Sequence, residues 1–354
     1  MKKSLLESIV CPFCQNAFEL KIFKSDANEI EEGSLFCSCG QSFPIIKKIP
    51  RILAGDLRAN IYGKFPEFFS KYPEFVLIKG TAGEVKGETL EKERVLKSFG
   101  YEWDKFSQMR KEWEKNFNFY FEPIGDLSTL KGKKALEASC GCGRHAYYAA
   151  KWAKEIIAVD ISCAIDVALN NTKEHNNIHF IQADICALPF PKKSFDFIYS
   201  IGVLHHLPDP ETGFKKLVEL LRDKAGILTY LYHDFPKNDF NYYGLRLVDF
   251  PRIITTKMPH GLLYFLCFPI AAFYYLLLVL PYKFLRAMKM GHIDWPFKAY
   301  ADYPFRVLVN DAFDRYATAT ANRYLREDVL GWYQRAGLQK VNIKRGWRTF
   351  GTAN

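Results

Sequence analysis

The chain has 354 residues, of which 49% are hydrophobic, 16% aromatic and 25% charged, with nine cysteines and a formal charge of +10 at pH 7. This length and apolar content exclude a disordered chain and a small disulfide-stapled module, and leave room for one large domain with additions. The charge is uneven: residues 236–306 carry nine Lys/Arg against four Asp/Glu and residues 307–354 eight against four, so the last third is expected to meet an anionic partner.

The first residues, "MKKSLLESIVCPFC", hold a short apolar run and no small-residue cleavage site, so no secretory signal is expected. An odd cysteine count without secretory context favours metal ligands and reduced thiols over disulfides, and a cytoplasmic location. Cys11 and Cys14 form one close pair, and Cys37 and Cys39 a second, with 22 residues between Cys14 and Cys37. Four thiolates on two tight turns can surround zinc, which then substitutes for a core too small to fold alone. "LFCSCGQSFPIIKKIPRIL" (Leu35–Leu53) resembles the small zinc-ribbon-like family that includes tRNA-methyltransferase activator proteins, through Cys39-Gly40, Phe43-Pro44-Ile45 and Ile49-Pro50. It departs from that family in having one residue, Ser38, between the second pair of cysteines. The resemblance implies a structural zinc on Cys11, Cys14, Cys37 and Cys39 in a small domain over residues 1–55.

Residues 56–97 read as a linker, rich in Gly, Pro and charge without a sustained period. Ser98–Phe121 alternates aromatic and charged residues at helical spacing, which suits a helix covering a core or closing over a ligand. From Lys134 the order becomes strand (Ala135–Ala138), glycine turn (Gly141, Gly143), helix, and a second strand ending in Asp160. In this layout a nucleotide lies across the turn, the glycines allow close backbone approach, and the acid accepts from ribose hydroxyls.

Glu137 followed by Gly141-Cys142-Gly143 resembles motif I of class I S-adenosylmethionine-dependent methyltransferases. An acid at that point would repel a pyrophosphate but suits a ligand bearing an ammonium group. "NIHFIQADICALPFPKKSFDFIYSIGVLHHLPDP" (Asn177–Pro210) resembles the next two strands of that family. The resemblance implies that Asp184 binds the adenine amino group with Ile185 beside the ring, and that the segment through Ile201 faces the methyl donor. Ser139 stands where the family has its first glycine, and Ile161 follows the ribose acid. The expected cofactor set is therefore Glu137, Ser139, Gly141, Gly143, Asp160, Ile161, Asp184, Ile185 and Ile201. The expected fold class is α/β, a seven-stranded Rossmann-like sheet with an antiparallel last strand, formed by residues 98–234 and 317–354.

Residues 235–316 are then an insertion after the fifth strand of that sheet. "GLLYFLCFPIAAFYYLLLVLP" (Gly261–Pro281) has no charged residue between Lys257 and Lys283 and is long enough to cross a bilayer. A single crossing would separate strands of one sheet, so an apolar helical cap is expected instead, with Pro269 splitting it into a hairpin or broken helix. The cap either buries its apolar residues, presents them to an anionic membrane surface with Arg246, Arg252, Lys257, Lys283, Arg286 and Lys289 at the headgroups, or forms an oligomer interface. An apolar, aromatic-rich cap implies a small hydrophobic acceptor: a lipid, isoprenoid or aromatic compound. The alternatives are an RNA methyltransferase, with nucleic acid the weaker expectation because no RNA-binding module is evident, and a non-catalytic, membrane-associated scaffold, for which Ser139 is the only support. Methyl transfer needs positioning and at most one proton removed. His205, His206 and His233 lie at strand C-terminal ends and are the candidate bases.

Overall fold

The computed structural model describes residues 1–26, 29–73, 86–293, 295–318 and 320–354, without the side chains of residues 56 and 86–91. Two compact units emerge: Met1–Leu96 with Ser107–Asp234 and Thr320–Asn354, and Lys97–Phe106 with Phe235–Ala319.

The first unit is built on one sheet. Its strands are β1 (Phe18–Asp26), β2 (Glu29–Cys37), β3 (Ser42–Ile46), β4 (Ile49–Ile52), β5 (Lys134–Ala138), β6 (Glu155–Asp160), β7 (Ile178–Ala183), β8 (Phe195–Ile201), β9 (Leu221–Tyr230), β10 (Gln339–Lys344) and β11 (Arg348–Thr352). They lie in the order β1-β2-β3-β4-β7-β6-β5-β8-β9-β11-β10. Strands β5 to β9 are parallel and, apart from the exposed Arg222–Lys224 at the start of β9, largely buried, as strands covered on both faces are. The chain winds outward in both directions from β5, which pairs with β6 on one side and β8 on the other. Ligands enter such sheets at this switch point, beyond the strand C-termini. The last strand, β11, is antiparallel to β9 and β10. The expected α/β class and antiparallel last strand are present, but the sheet has eleven strands where seven were expected.

The N-terminal segment departs from the expected separate domain and linker. Strand β4 pairs in parallel with β7, Arg51 opposite Gln182 and Ile52 opposite Ala183, so the ribbon strands continue the parallel sheet. Strand β7 would otherwise be an edge with unpaired N–H and C=O groups. The predicted linker is largely structured: helices Ala59–Lys64 and Pro66–Lys71 pack Ile61, Phe65 and Phe68 into a cluster with Ile46, Leu53, Leu57 and Leu96. Its middle, residues 74–85, lies outside the described residues.

The second unit is helical and takes Lys97–Phe106 as well as the insertion. Its longest element is one apolar helix, His260–Ala287. Pro269 sits inside it without splitting it, contrary to the expected hairpin. The irregularity is a π turn at Tyr275–Val279, just before Pro281, whose ring and missing N–H oppose a regular turn. The Trp295 indole donates to the Leu278 carbonyl there (2.9 Å). One stripe of this helix, Leu263, Cys267, Ala271 and Val279, packs with Leu308, Val309 and Phe313 of helix Phe305–Ala317.

Candidate active site

Strands β5, β6 and β7 are adjacent and end at one edge, with Ala138 level with Val159 and Asp160 level with Gln182. Their C-terminal ends carry Glu137, Asp160 and Asp184, which are 2, 5 and 4% exposed. Each acid has a different set of partners.

Asp160 ties two turns together. Its Oδ2 accepts from the Gly141 N–H (2.8 Å), and its Oδ1 accepts from the Ser162 N–H (2.8 Å) and hydroxyl (2.6 Å). Burial pushes its carboxyl up, opposed by these bonds. The glycine turn and the start of helix Ala164–Asn171 are thus both fixed by the acid expected to meet ribose. Gly141 and Gly143 have φ of 52° and 80°. A Cβ at Gly143 would stand 3.0 Å from the Ala168 Cβ and 3.2 Å from Thr172 Cγ2, so glycine is required here for helix packing as well as for the turn. Ser139 has φ 68°, a left-handed conformation that costs an L-residue about 1–2 kcal/mol.

Glu137 is enclosed. Its Oε2 accepts from the Tyr199 hydroxyl (3.2 Å). Burial pushes its carboxyl well above the ordinary range, and the neighbouring Asp160 adds to this while Arg144 opposes it. An acid in this state gains from a cation brought beside it. Asp184 accepts from the Cys186 N–H through Oδ1 (2.8 Å) and meets Lys92 Nζ through Oδ2 (2.9 Å). Ile185 is buried beside it, and Ile161 packs on the Phe65–Phe68 cluster. Ile201, half-buried, ends β8 opposite Tyr230.

Histidines and tyrosines gather beyond β5, β8 and β9. His205 stacks on Tyr232 (3.8 Å between centroids) and lies 4.2 Å from His206. His206 Nδ1 faces the Thr320 carbonyl at 2.5 Å. A carbonyl only accepts, so Nδ1 carries the proton and Nε2 is the basic nitrogen. Tyr120 links Tyr230 (4.8 Å) to His145 (5.5 Å). His145, in the first turn after Gly143, is 4% exposed, and neither ring nitrogen has a hydrogen-bond partner among the described residues. Burial, with Arg144 nearby, holds it well below the ordinary histidine range, hence neutral. His233 is separate in character: it pairs with Tyr324 and packs edge-on against Trp347 (6.0 Å).

The four N-terminal thiols come together. Cys11, Cys14, Cys37 and Cys39 have sulfurs all within 4.8 Å of one another, with Cys11–Cys39 at 3.7 Å and Cys14–Cys37 at 3.3 Å. Tetrahedral zinc–thiolate bonds would set sulfurs about 3.8 Å apart, so the donor set fits zinc despite the one-residue spacer at Ser38. Left-handed residues, Gln15 (φ 62°) and Gly40 (φ 85°), follow the second cysteine of each pair and close the turns.

Sequence reasoning missed Arg51, Lys92, His145, Tyr199 and Gln182. His145 could have been found from its place directly after the glycine turn. The others act across long sequence separations that no local pattern marks.

A doubly wound sheet with a glycine turn at its switch point, an enclosed acid on the first strand and acids after the next two defines an S-adenosylmethionine-dependent methyltransferase domain. Residues 136–229 match the family model described as methyltransferase domain, and the chain carries that domain. A tRNA U34 carboxymethyltransferase from Alteromonas mediterranea is 32% identical over 111 residues, 29% of this chain and 33% of that protein. A ubiquinone biosynthesis O-methyltransferase from Coxiella burnetii is 35% identical over 96 residues, 27% of this chain and 41% of that protein. A fatty-acid O-methyltransferase from Mycolicibacterium smegmatis is 26% identical over 165 residues, 44% of this chain and 59% of that protein. The chain therefore spans less than two-thirds of the length of each of these relatives.

Proposed function

We propose that the whole chain is an S-adenosylmethionine-dependent methyltransferase of the cytoplasm, acting on a small hydrophobic acceptor drawn from a lipid phase. The observation that carries the donor is Glu137, a buried acid raised by its surroundings and placed beside the Asp160-pinned glycine turn. When bound, the donor supplies an electrophilic methyl group on a sulfonium. Glu137 faces its ammonium group, Asp160 its ribose, and Asp184 with Ile185 its adenine, while Ser139, Gly141, Gly143, Ile161 and Ile201 shape the crevice. Among the histidine candidates His206 is assigned the base, since the Thr320 contact fixes its tautomer; His205, stacked on Tyr232, orients the pocket, and His233 stands apart from it. Cys11, Cys14, Cys37 and Cys39 would hold one structural zinc.

The hydrophobic acceptor is supported by the apolar insertion, and by two relatives named for ubiquinone and fatty-acid substrates. The tRNA-modifying relative favours a second reading, an RNA acceptor. Incubating the chain with methyl-labelled donor and either a total lipid extract or total RNA separates them. Label in an organic-soluble small molecule supports the proposal; label retained on RNA overturns it.

A further inference from the structure

The insertion buries one side of its long helix and leaves the other side apolar and open. Phe265, Phe273, Leu276, Leu280 and Phe284 follow one another at helical spacing on helix His260–Ala287 and are all exposed, Phe265 at 70%. A second stripe runs along Phe240, Tyr243, Leu247, Phe250 and Ile254, with Phe240 at 86% and Leu247 at 76%. Soluble surfaces seldom leave such contiguous apolar stripes uncovered, and a helix that is apolar all round calls for a partner on every side. Between Leu276 and Phe284 lies a shallow groove of about 570 Å³, lined by Leu276, Leu280, Pro281, Lys283 and Phe284.

Three observations identify what covers it. Residues 236–306 hold nine Lys/Arg against four Asp/Glu, a net 9 − 4 = +5, and cations flank the uncharged stretch at Lys257 and Lys283, with Lys289 just past the helix end, while Arg286 is paired with Asp302 (2.7 Å). A two-fold pairing of copies would set this fringe against itself, whereas an anionic surface neutralises it. Lys283 sits at the rim of the groove, so an acyl chain and an anionic headgroup can be met together. Finally, the chain leaves and re-enters the sheet unit side by side: the Asp234 N–H donates to the Tyr324 carbonyl (2.8 Å), and the Tyr324 N–H to the Tyr232 carbonyl (3.0 Å). Both ends of the insertion are on one side of any bilayer. Among the described residues a single helix is apolar and long enough to cross, and one crossing cannot return the chain. A bilayer could therefore be met only in its plane.

We propose that residues 235–319 form a docking surface for an anionic lipid bilayer, inserting these two stripes in plane with Lys257, Lys283 and Lys289 at the headgroups. This stands independently of the methyl-transfer chemistry. The test is flotation of the full chain with phosphatidylcholine vesicles, with and without phosphatidylglycerol. The chain floats with the mixed vesicles, and about 10-fold less with phosphatidylcholine alone or in high salt. Leu276→Glu and Leu247→Glu, both at exposed positions, lose flotation while keeping the parent melting temperature; should either unfold, the charge-reversal pair Lys257→Glu and Lys289→Glu replaces it and also loses flotation. Absence of flotation, flotation unchanged in these variants, or a lipid-free dimer dissolved by Leu276→Glu in light scattering would each overturn the proposal, the last assigning the face to a second copy.

Discussion

Arg51, on the last strand of the N-terminal ribbon, makes a two-pronged pair with Asp166 on the helix behind the glycine turn, Nη2 to Oδ1 at 2.6 Å and Nη1 to Oδ2 at 3.3 Å. Its Nη1 also donates to Gln182 Oε1 (3.0 Å), and the Gln182 amide donates to the Ile161 carbonyl (3.0 Å). The Arg51 side chain is fully buried. A chain of contacts thus runs from the metal-type ribbon to the residue following Asp160.

Removing Arg51 leaves Asp166 with Lys64 alone (3.2 Å) and Gln182 Oε1 without its buried donor. Arg51→Met is expected to destabilise the chain by about 3 kcal/mol, read by denaturant unfolding. The double variant Arg51→Met with Asp166→Leu should recover part of that loss, because no buried charge is then left alone.

The same continuity governs metal removal. Since β4 is hydrogen-bonded to β7, chelating the zinc proposed on the four thiols should lower the melting temperature of the whole sheet unit in one transition. A separate low-temperature ribbon transition, with the main transition unmoved in calorimetry, would contradict the shared sheet.

The strand–turn–helix–acid layout was legible in the sequence because each part is local: apolar runs, glycines at the turn, an acid ending the next strand. The sheet extension was not legible, because Arg51 and its partner Asp166 are 115 residues apart and residues 56–97 read as a linker. The long apolar helix hid its exposed stripe for a related reason. Apolar on every side, its pattern cannot say which stripe is covered. Pro269 misled because the helix continues through it, and the irregular turn lies instead just before Pro281.

Ser139→Gly relieves the left-handed strain at φ 68°. We expect a stability gain of about 1 kcal/mol by denaturant unfolding. Gly143→Ala should do the reverse, driven by the contacts with Ala168 and Thr172.

Glu137 is raised by burial, so it holds a proton in the free protein at pH values where an exposed carboxyl would not. A cationic donor placed beside it lowers that affinity, and binding therefore expels a proton. Below the bound-state value both states are protonated and affinity is flat; above it, affinity rises with pH until the free-state value is passed. Titrations in buffers of different ionisation enthalpy should report proton release, which Glu137→Gln abolishes.

His206→Gln should lower kcat by about 100-fold with little change in KM, provided the acceptor loses a proton in the reaction. His233→Gln should affect both far less.

The most direct test of the account is calorimetric titration of the full chain with S-adenosylmethionine, alongside Glu137→Gln and Asp184→Asn. One binding site per chain is predicted, weakened about 10-fold or more in each variant through loss of a charge-assisted contact. Absence of binding, or equal affinity in parent and variants, would contradict the placement of the donor at these three strand ends.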